Sequence, residues 1–181
     1  MENVQFTLRC ATEADIAALN DLMESSIRML LRDFLDPAQI EASHAVMGLD
    51  TQLIEDGTYF VLEEAGLIVG SGGWSRRKTL CGGDHSSGRN DAFTDPQFEA
   101  VKIRAMYTRP SHARRGIGTI ILLACEKAAS AAGYRHAELG ATLAGVPLYE
   151  VNGYKKVESV GVVTKTGVEV PIWRMVKTIG G

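Results

Sequence analysis

Long hydrophobic runs are missing from this chain. No uninterrupted apolar stretch approaches the ~18 residues needed to span a bilayer. The opening Met1-Glu2-Asn3-Val4 has neither the basic start nor the apolar centre of an export signal. Cysteine is scarce as well. Cys10, Cys81 and Cys125 are odd in number and scattered, so they outline neither a disulfide framework nor a zinc site. No metal is expected, and a reduced, cytoplasmic setting is the simplest fit. Strong charge of either sign is also lacking. The 19 Lys and Arg against 22 Asp and Glu leave a formal charge of −3, which argues against a general nucleic-acid or membrane surface. The run Arg76-Arg77-Lys78 reads as a solvated strand end or loop.

What remains is an ordinary globular composition, 45% hydrophobic and 23% charged over 181 residues, enough for one domain with a substantial core. Phe6-Thr7-Leu8-Arg9-Cys10 alternates as a strand does. Thr12 then caps a helix with acids in its first turn, whose apolar face is Ile16, Leu19, Met23, Ile27 and Leu30. Asp36-Pro37 starts a second helix, cap followed by proline at the first helical position. A short helical piece follows Asp50 and ends near Gly57. Residues 58–62 and 67–74 form two strands around a hairpin turn at Glu63-Glu64-Ala65-Gly66. Gly70, Gly72 and Gly73 in the second strand predict a bulge or the close approach of another group. Residues 76–99 are rich in turn residues and read as a flap over a site. A strand at 101–107 stops at Pro110. In the helix that follows, Ile117, Ile120, Ile121, Ala124, Cys125, Ala128 and Ala132 share one face, opposite Thr119, Glu126 and Lys127, and Gly133 ends it. A strand near 137–140, a short helix at 146–150 and two closing strands near 154–163 and 168–176 complete the chain, the last two flanking a turn at Thr166-Gly167.

The strongest chemical signal heads the best-defined helix: Arg114-Arg115-Gly116-Ile117-Gly118-Thr119. Two glycines one residue apart let a tight loop expose backbone N–H groups. The helix adds its unsatisfied first-turn N–H groups and the positive end of its dipole, making a site for phosphate or diphosphate. A P-loop needs Lys-Ser/Thr after the last glycine, but Thr119-Ile120 follow Gly118. A dinucleotide fingerprint needs a small residue where Ile121 stands, although Glu138 falls where a ribose-binding acid belongs. The loop also comes too late in the chain for a complete doubly wound sheet, leaving a nucleotide-dependent oxidoreductase as a distant alternative.

Three segments together resemble the GNAT superfamily of N-acetyltransferases. Ile103–Thr108, the Pro110 corner and Ala113-Arg114-Arg115-Gly116-Ile117-Gly118 are similar to its central strand, Arg/Gln-x-x-Gly-x-Gly/Ala turn and helix. Leu8-Arg9-Cys10-Ala11-Thr12-Glu13-Ala14-Asp15 looks like its first strand and helix entry. Pro147-Leu148-Tyr149-Glu150-Val151-Asn152-Gly153-Tyr154 resembles its Leu/Phe-Tyr-Glu-x-x-Gly-Phe/Tyr segment. The order and distances of the three agree with the family. One departure is Ala113, where the family carries Arg or Gln; Arg114 or Arg115 would supply the missing charge, and which of them does so is open.

The resemblance implies an α/β (α+β-like) GNAT fold, a mixed, mainly antiparallel, twisted sheet with helices on both faces, as a single domain over residues 5–177. It implies an acetyl-CoA-dependent N-acetyltransferase that moves the acetyl group directly to a primary amine, with acetyl-CoA as co-substrate. Met106, Tyr107 and Thr108 would lie on the strand that meets the pantetheine arm. Arg114, Arg115, Gly116, Ile117, Gly118 and Thr119 would hold the diphosphate. Tyr149 matches the tyrosine that faces the sulfur as general acid or hydrogen-bond donor. Glu138, Glu99 and His112 are candidate bases, none of them singled out. Trp74, Phe93 and Tyr107 belong either to an acceptor pocket or to the core. The acceptor is a small-molecule or protein amine; no nucleic-acid or membrane partner is expected, and a homodimer is left open. The rival reading is a non-catalytic acyl-CoA-binding sensor.

Overall fold

The computed structural model describes residues 5–180; Met1–Val4, in which no export signal is read, lie outside them. The elements in chain order are β1 (Phe6–Cys10), a 3-10 turn (Glu13–Asp15), α1 (Ile16–Leu30), α2 (Pro37–Val46), α3 (Thr51–Glu55), β2 (Tyr59–Glu64) and β3 (Leu67–Ser75). Then come β4 (Val101–Thr108), a second 3-10 turn (Pro110–His112), α4 (Ile117–Ala131), β5 (His136–Thr142) and α5 (Val146–Val151). The chain closes with β6 (Lys155–Ser159), β7 (Val162–Val163), β8 (Glu169–Val170) and β9 (Ile172–Thr178). A seven-stranded sheet has the order β1-β2-β3-β4-β5-β9-β6, and all its pairings except β4–β5 are antiparallel.

Local chemistry explains the helix entries. The Asp15 carboxylate accepts from the Thr12 N–H at 2.8 Å, closing a capping box, and Asp36 accepts from Gln39 N–H at 2.8 Å with Pro37 at the helix start. The hairpin between β2 and β3 turns through Ala65 and Gly66, at φ 50° and 79°, the pair of positive values that a two-residue turn requires. The second closing strand is broken at Pro171, whose missing N–H interrupts the ladder. As a result β7 and β8 form a separate pair, while β6 and β9 stay in the main sheet.

Two apolar layers cover the sheet. On one face α4 meets Leu62, Val69, Ile103 and Leu139; on the other α1 buries Leu19, Leu22, Met23 and Ile27 against Tyr59, Val61 and Tyr107. The buried stripe of α4 is rotated from the expected one. Ile117, Ile121, Leu122, Cys125 and Ala129 are buried, whereas Ile120 is exposed. Glu126, expected to face solvent, is buried and accepts from Lys177 Nζ on β9 at 2.7 Å. The glycines of β3 make this packing possible. A Cβ on Gly70 would stand 2.3 Å from Ile117 Cγ2, and one on Gly72 2.2 Å from Met106 Sδ. Gly70→Val is therefore expected to cost about 1–3 kcal/mol by overpacking, read as a lower urea midpoint.

Candidate active site

The site begins where the sheet comes apart. The parallel strands β4 and β5 pair only at Val101↔Ala137 and Lys102↔Glu138, although β4 runs on to Thr108 and β5 to Thr142. Past that seam the β5-facing edge of β4 has no ladder partner among the described residues. A bulge sits at the point of divergence, since the register against β3 shifts between Ser71 and Gly73. Ala105 takes φ +54° there, a conformation that costs a non-glycine residue about 1–2 kcal/mol. Its carbonyl is held from below by Ser71 Oγ at 3.4 Å and Tyr59 Oη at 3.5 Å.

A cavity of about 710 Å³ fills the gap. Its walls are the outer half of β4, the N-terminus of α4, the ends of β5 and α5, the C-terminal part of α1, and Leu80–Gly82 of the long loop. Met106, Tyr107 and Thr108 all line it, as do Arg114, Gly116, Ile117, Gly118, Thr119 and Tyr149. Gly116 caps α4 at φ +79°, and Arg114 sits at +62°. The N–H groups of residues 114–119 have no protein acceptor among the described residues, the helix ladder starting with Ile120 N–H to Gly116 O. Gly118 lets α5 close against α4, because a Cβ there would meet Leu148 Cδ2 at 2.7 Å. The cradle can thus hold an anion on backbone donors and the helix dipole.

The two adjacent arginines have different surroundings. Arg115 Nη1 and Nη2 donate to both Glu64 oxygens at 2.8 and 2.6 Å, and its guanidinium lies over the Phe6 ring. It is not among the cavity's lining residues. Arg114 lines the cavity and has no hydrogen bond or ion pair to protein among the described residues. The left-handed backbone at Arg114 is what separates the two side chains, and no sequence pattern marks it.

Tyr149 is buried, its ring edge-on to Tyr154 with centroids 5.8 Å apart. Its hydroxyl makes no hydrogen bond to protein among the described residues, and burial pushes its pKa above that of an ordinary phenol. Tyr107 is different, since its Oη accepts from Gly48 N–H at 3.0 Å and so ties the segment after α2 to β4.

None of the three candidate bases lines the cavity. Glu138 receives Lys102 Nζ and, at 2.9 Å, Arg174 Nη1. Glu99 accepts from Asp95 N–H at 2.8 Å, and His112 is pinned between Ser111 and Glu64. Of the three aromatic candidates, Tyr107 reaches the cavity; Trp74 is buried in the α4-side core and Phe93 is 65% exposed under Arg77. Trp74 lies within β3, a strand buried on both faces from Ile68 onward, which hides its direction from any alternation pattern. The basic run is partnered rather than merely solvated, with Arg77 bidentate to Asp56 at 2.8 Å and Lys78 3.2 Å from Glu99. The long loop is a docked flap. Its arms pair at Arg77↔Phe93, its tip is bonded to Leu49 and Val46, and Thr94 Oγ1 lies 2.7 Å from Tyr134 Oη.

One group has no counterpart in the sequence motifs. Arg104 projects from β4 into a cluster with Asp50 and Arg89, where it pairs with Asp50; both side chains are essentially inaccessible, at 1% and 0% exposure. Arg104 Nη2 also donates to Gly82 O at 3.2 Å. Burial pushes the Asp50 carboxyl up and the Arg104 guanidinium down from their ordinary values. A charged residue at an interior strand position was the signal available in the sequence.

The geometry defines an α/β domain whose sheet is split by a cavity with an anion-binding cradle at one end, and comparison with known proteins gives its family. The chain matches the acetyltransferase (GNAT) domain over residues 55–156 and belongs to that family, whose chemistry is acetyl transfer. Curated protein sequences give no match. Among solved structures it is similar to a GCN5-related N-acetyltransferase from Rhodopseudomonas palustris, with TM-score 0.71, 19% identity and 99% of each chain covered. PaiA N-acetyltransferase from Thermoplasma acidophilum, solved with coenzyme A, has TM-score 0.65 at 14% identity, covering 96% of this chain and 99% of that one. The yncA protein of Salmonella typhimurium, solved with its cofactor acetyl-CoA, has TM-score 0.63 at 19% identity, covering 98% and 95%. Among the described residues, no helix is long and apolar enough to cross a membrane.

Proposed function

We propose that this chain transfers the acetyl group of acetyl-coenzyme A directly to a primary amine. The observation that carries the reading is the continuous cavity joining the unpaired N–H groups of residues 114–119, the free edge of β4 and the Tyr149 hydroxyl. An anion cradle, a strand edge able to bond amides and a donor left without a protein partner are the groups that a diphosphate, a pantetheine arm and a thioester require in turn. That two similar proteins were solved with coenzyme A or acetyl-CoA supports the same choice of ligand.

In this reading Gly116–Thr119 bind the diphosphate through backbone N–H groups, and Arg114 adds the side-chain charge that Ala113 does not. Arg115 acts on the fold by holding Glu64. Donors on β4 near Met106–Thr108 polarise the thioester carbonyl and bear part of the negative charge that develops on its oxygen. As the amine nitrogen bonds to the carbonyl carbon and the carbon–sulfur bond breaks, Tyr149 donates a hydrogen bond to the departing sulfur. A phenol pushed above its ordinary pKa keeps its proton against a thiolate, whose conjugate thiol ordinarily titrates at about 8.5, so its role is donation of a hydrogen bond rather than full proton transfer. None of Glu99, His112 and Glu138 lines the cavity, and the amine loses its proton to water entering from the cavity mouth, where Asp33 is the carboxylate residue on the wall.

A thermal-shift comparison checks the donor. Coenzyme A at a hundred times its Kd stabilises the fold by about 2.7 kcal/mol, a rise of several degrees, and NAD leaves it unchanged; the reverse pattern overturns the reading. Arg114→Gln is expected to weaken coenzyme A binding by about tenfold, the effect of one charge-assisted hydrogen bond, while Arg115→Gln leaves that affinity near wild type. Equal losses would show that both guanidinium groups reach the diphosphate.

A further inference from the structure

The cavity is bounded by two helix ends of opposite sign. The N-terminus of α4, with Arg114 beside it, brings the positive end of one dipole to the cradle. Elsewhere the wall includes the C-terminal part of α1 and the residues just beyond it, at the negative end of a second dipole. Around that second end the wall is apolar, with Met29, Leu30, Phe34, Val46, Met47 and Leu80.

The charged side chains on the wall are Asp33, Arg104 and Arg114. Arg114 belongs to the cradle, and Arg104 is closed on Asp50, both of them inaccessible. Asp33 is exposed and makes no ion pair or hydrogen bond to protein among the described residues. The neighbouring cations are turned elsewhere. Arg32 is off the wall, its Nη2 2.6 Å from Met29 Sδ, and Arg28 is bound to Glu24. Phe34, next to Asp33, is 47% exposed on the same wall, and among the described residues no cation of the protein lies over its ring. A free carboxylate, an open aromatic ring and a helix C-terminus together favour a cation. Ser26, earlier on α1, lines the same wall but is only 8% exposed. The wall thus runs from a buried hydroxyl to an exposed carboxylate, and a chain anchored at Asp33 is directed inward.

Resting on the acetyl-transfer reading above, we propose that Asp33 binds a second cationic group of the acceptor, and that the acceptor is an aliphatic diamine. The amine that attacks the thioester must be neutral, because its lone pair forms the new bond. A carboxylate holds an amine in its charged form, so the nitrogen at Asp33 is not the one that reacts. Two nitrogens are therefore required, one protonated at the rim and one neutral inside. The apolar wall covers the methylene groups that separate them. An acceptor with a carboxylate in place of its second amine meets Asp33 as a like charge and is disfavoured. Asp33 is thereby a specificity-determining residue, acting on which amine is accepted.

The test is release of free thiol from acetyl-CoA with the α,ω forms of diaminobutane, diaminohexane and diaminooctane, against aminohexanol and aminohexanoate. Per amino group, the best diamine is expected to show a KM about three- to fivefold below that of aminohexanol, the effect of one exposed charge pair. Its kcat should lie within about twofold. The gap narrows at high salt, as exposed pairs do, which reads the charge in the wild type without any substitution. D33N abolishes the gap and D33E keeps it, with the coenzyme A thermal shift confirming that both variants are folded. No gap in the wild type, a gap that survives D33N or high salt, or a preference for aminohexanoate overturns the assignment. If no amine releases thiol, calorimetric titration of the coenzyme A-saturated protein decides. A diamine that binds more tightly than aminohexanol, with a gap lost in D33N, overturns the transfer reading and leaves Asp33 assigned; no such binding overturns the assignment of Asp33.

Discussion

Replacing Tyr149 by phenylalanine is expected to lower kcat about 100-fold while leaving the affinity for coenzyme A within a factor of two or so. The magnitude is that of one positioned donor acting on a developing charge in a water-poor site. The selectivity of the effect follows from where the hydroxyl lies. The residue is buried on the wall of the cavity and its hydroxyl makes no bond to protein among the described residues, so its removal leaves no orphaned partner and deletes little packing. The ring still meets Tyr154 edge-on. Pre-steady-state release of thiol, followed with a saturating amine, measures the step directly. A rate equal to wild type would remove Tyr149 from the chemistry, and a fall in coenzyme A affinity of the same size would make it a binding residue instead.

The second large effect concerns stability. Asp50→Ala is expected to cost roughly 3–5 kcal/mol, because it deletes one member of a buried ion pair and leaves Arg104 charged in the interior. Arg104 and Arg89 would then face each other with no carboxylate between them. The loss should appear as a lower denaturant midpoint with an unchanged slope. Replacing both residues, in D50N/R104Q, should recover most of the loss, since two neutral groups need no mutual compensation. If the single variant were as stable as wild type, the pair would have to be open to water, against its near-zero exposure.

Legibility in the sequence followed the range of the interactions. The α4 helix, its glycine cradle and the Tyr149 segment are written in contiguous residues, and the structure brings them to one cavity. The Thr12 and Asp36 caps were readable for the same reason, each being a contact between residues three apart. Pairings formed across the fold were not readable. Glu126 looked like a surface residue until β9 placed Lys177 beside it at 2.7 Å. Arg104 was one charged residue in a strand until the segment after α2 delivered Asp50 to it. The difference between Arg114 and Arg115 rests on a single backbone angle and on Glu64, which comes from another strand. Trp74 and Phe93 were grouped with the site because aromatic residues near a flap suggest a pocket. A fully buried strand and an Arg77 contact turned them elsewhere.

The two-rung seam between β4 and β5 has a consequence for how this site can change. Most pockets are opened by trimming side chains, and each trimmed methylene is taken from the apolar interior. Here the opening comes from a ladder that stops, so the space is made of missing backbone bonds rather than missing core. The two apolar layers over the sheet meet their own demands whether the slot is filled or vacant. Residues on the slot's outer walls can therefore vary, and new acceptors can be tried, without drawing on the stability of the fold.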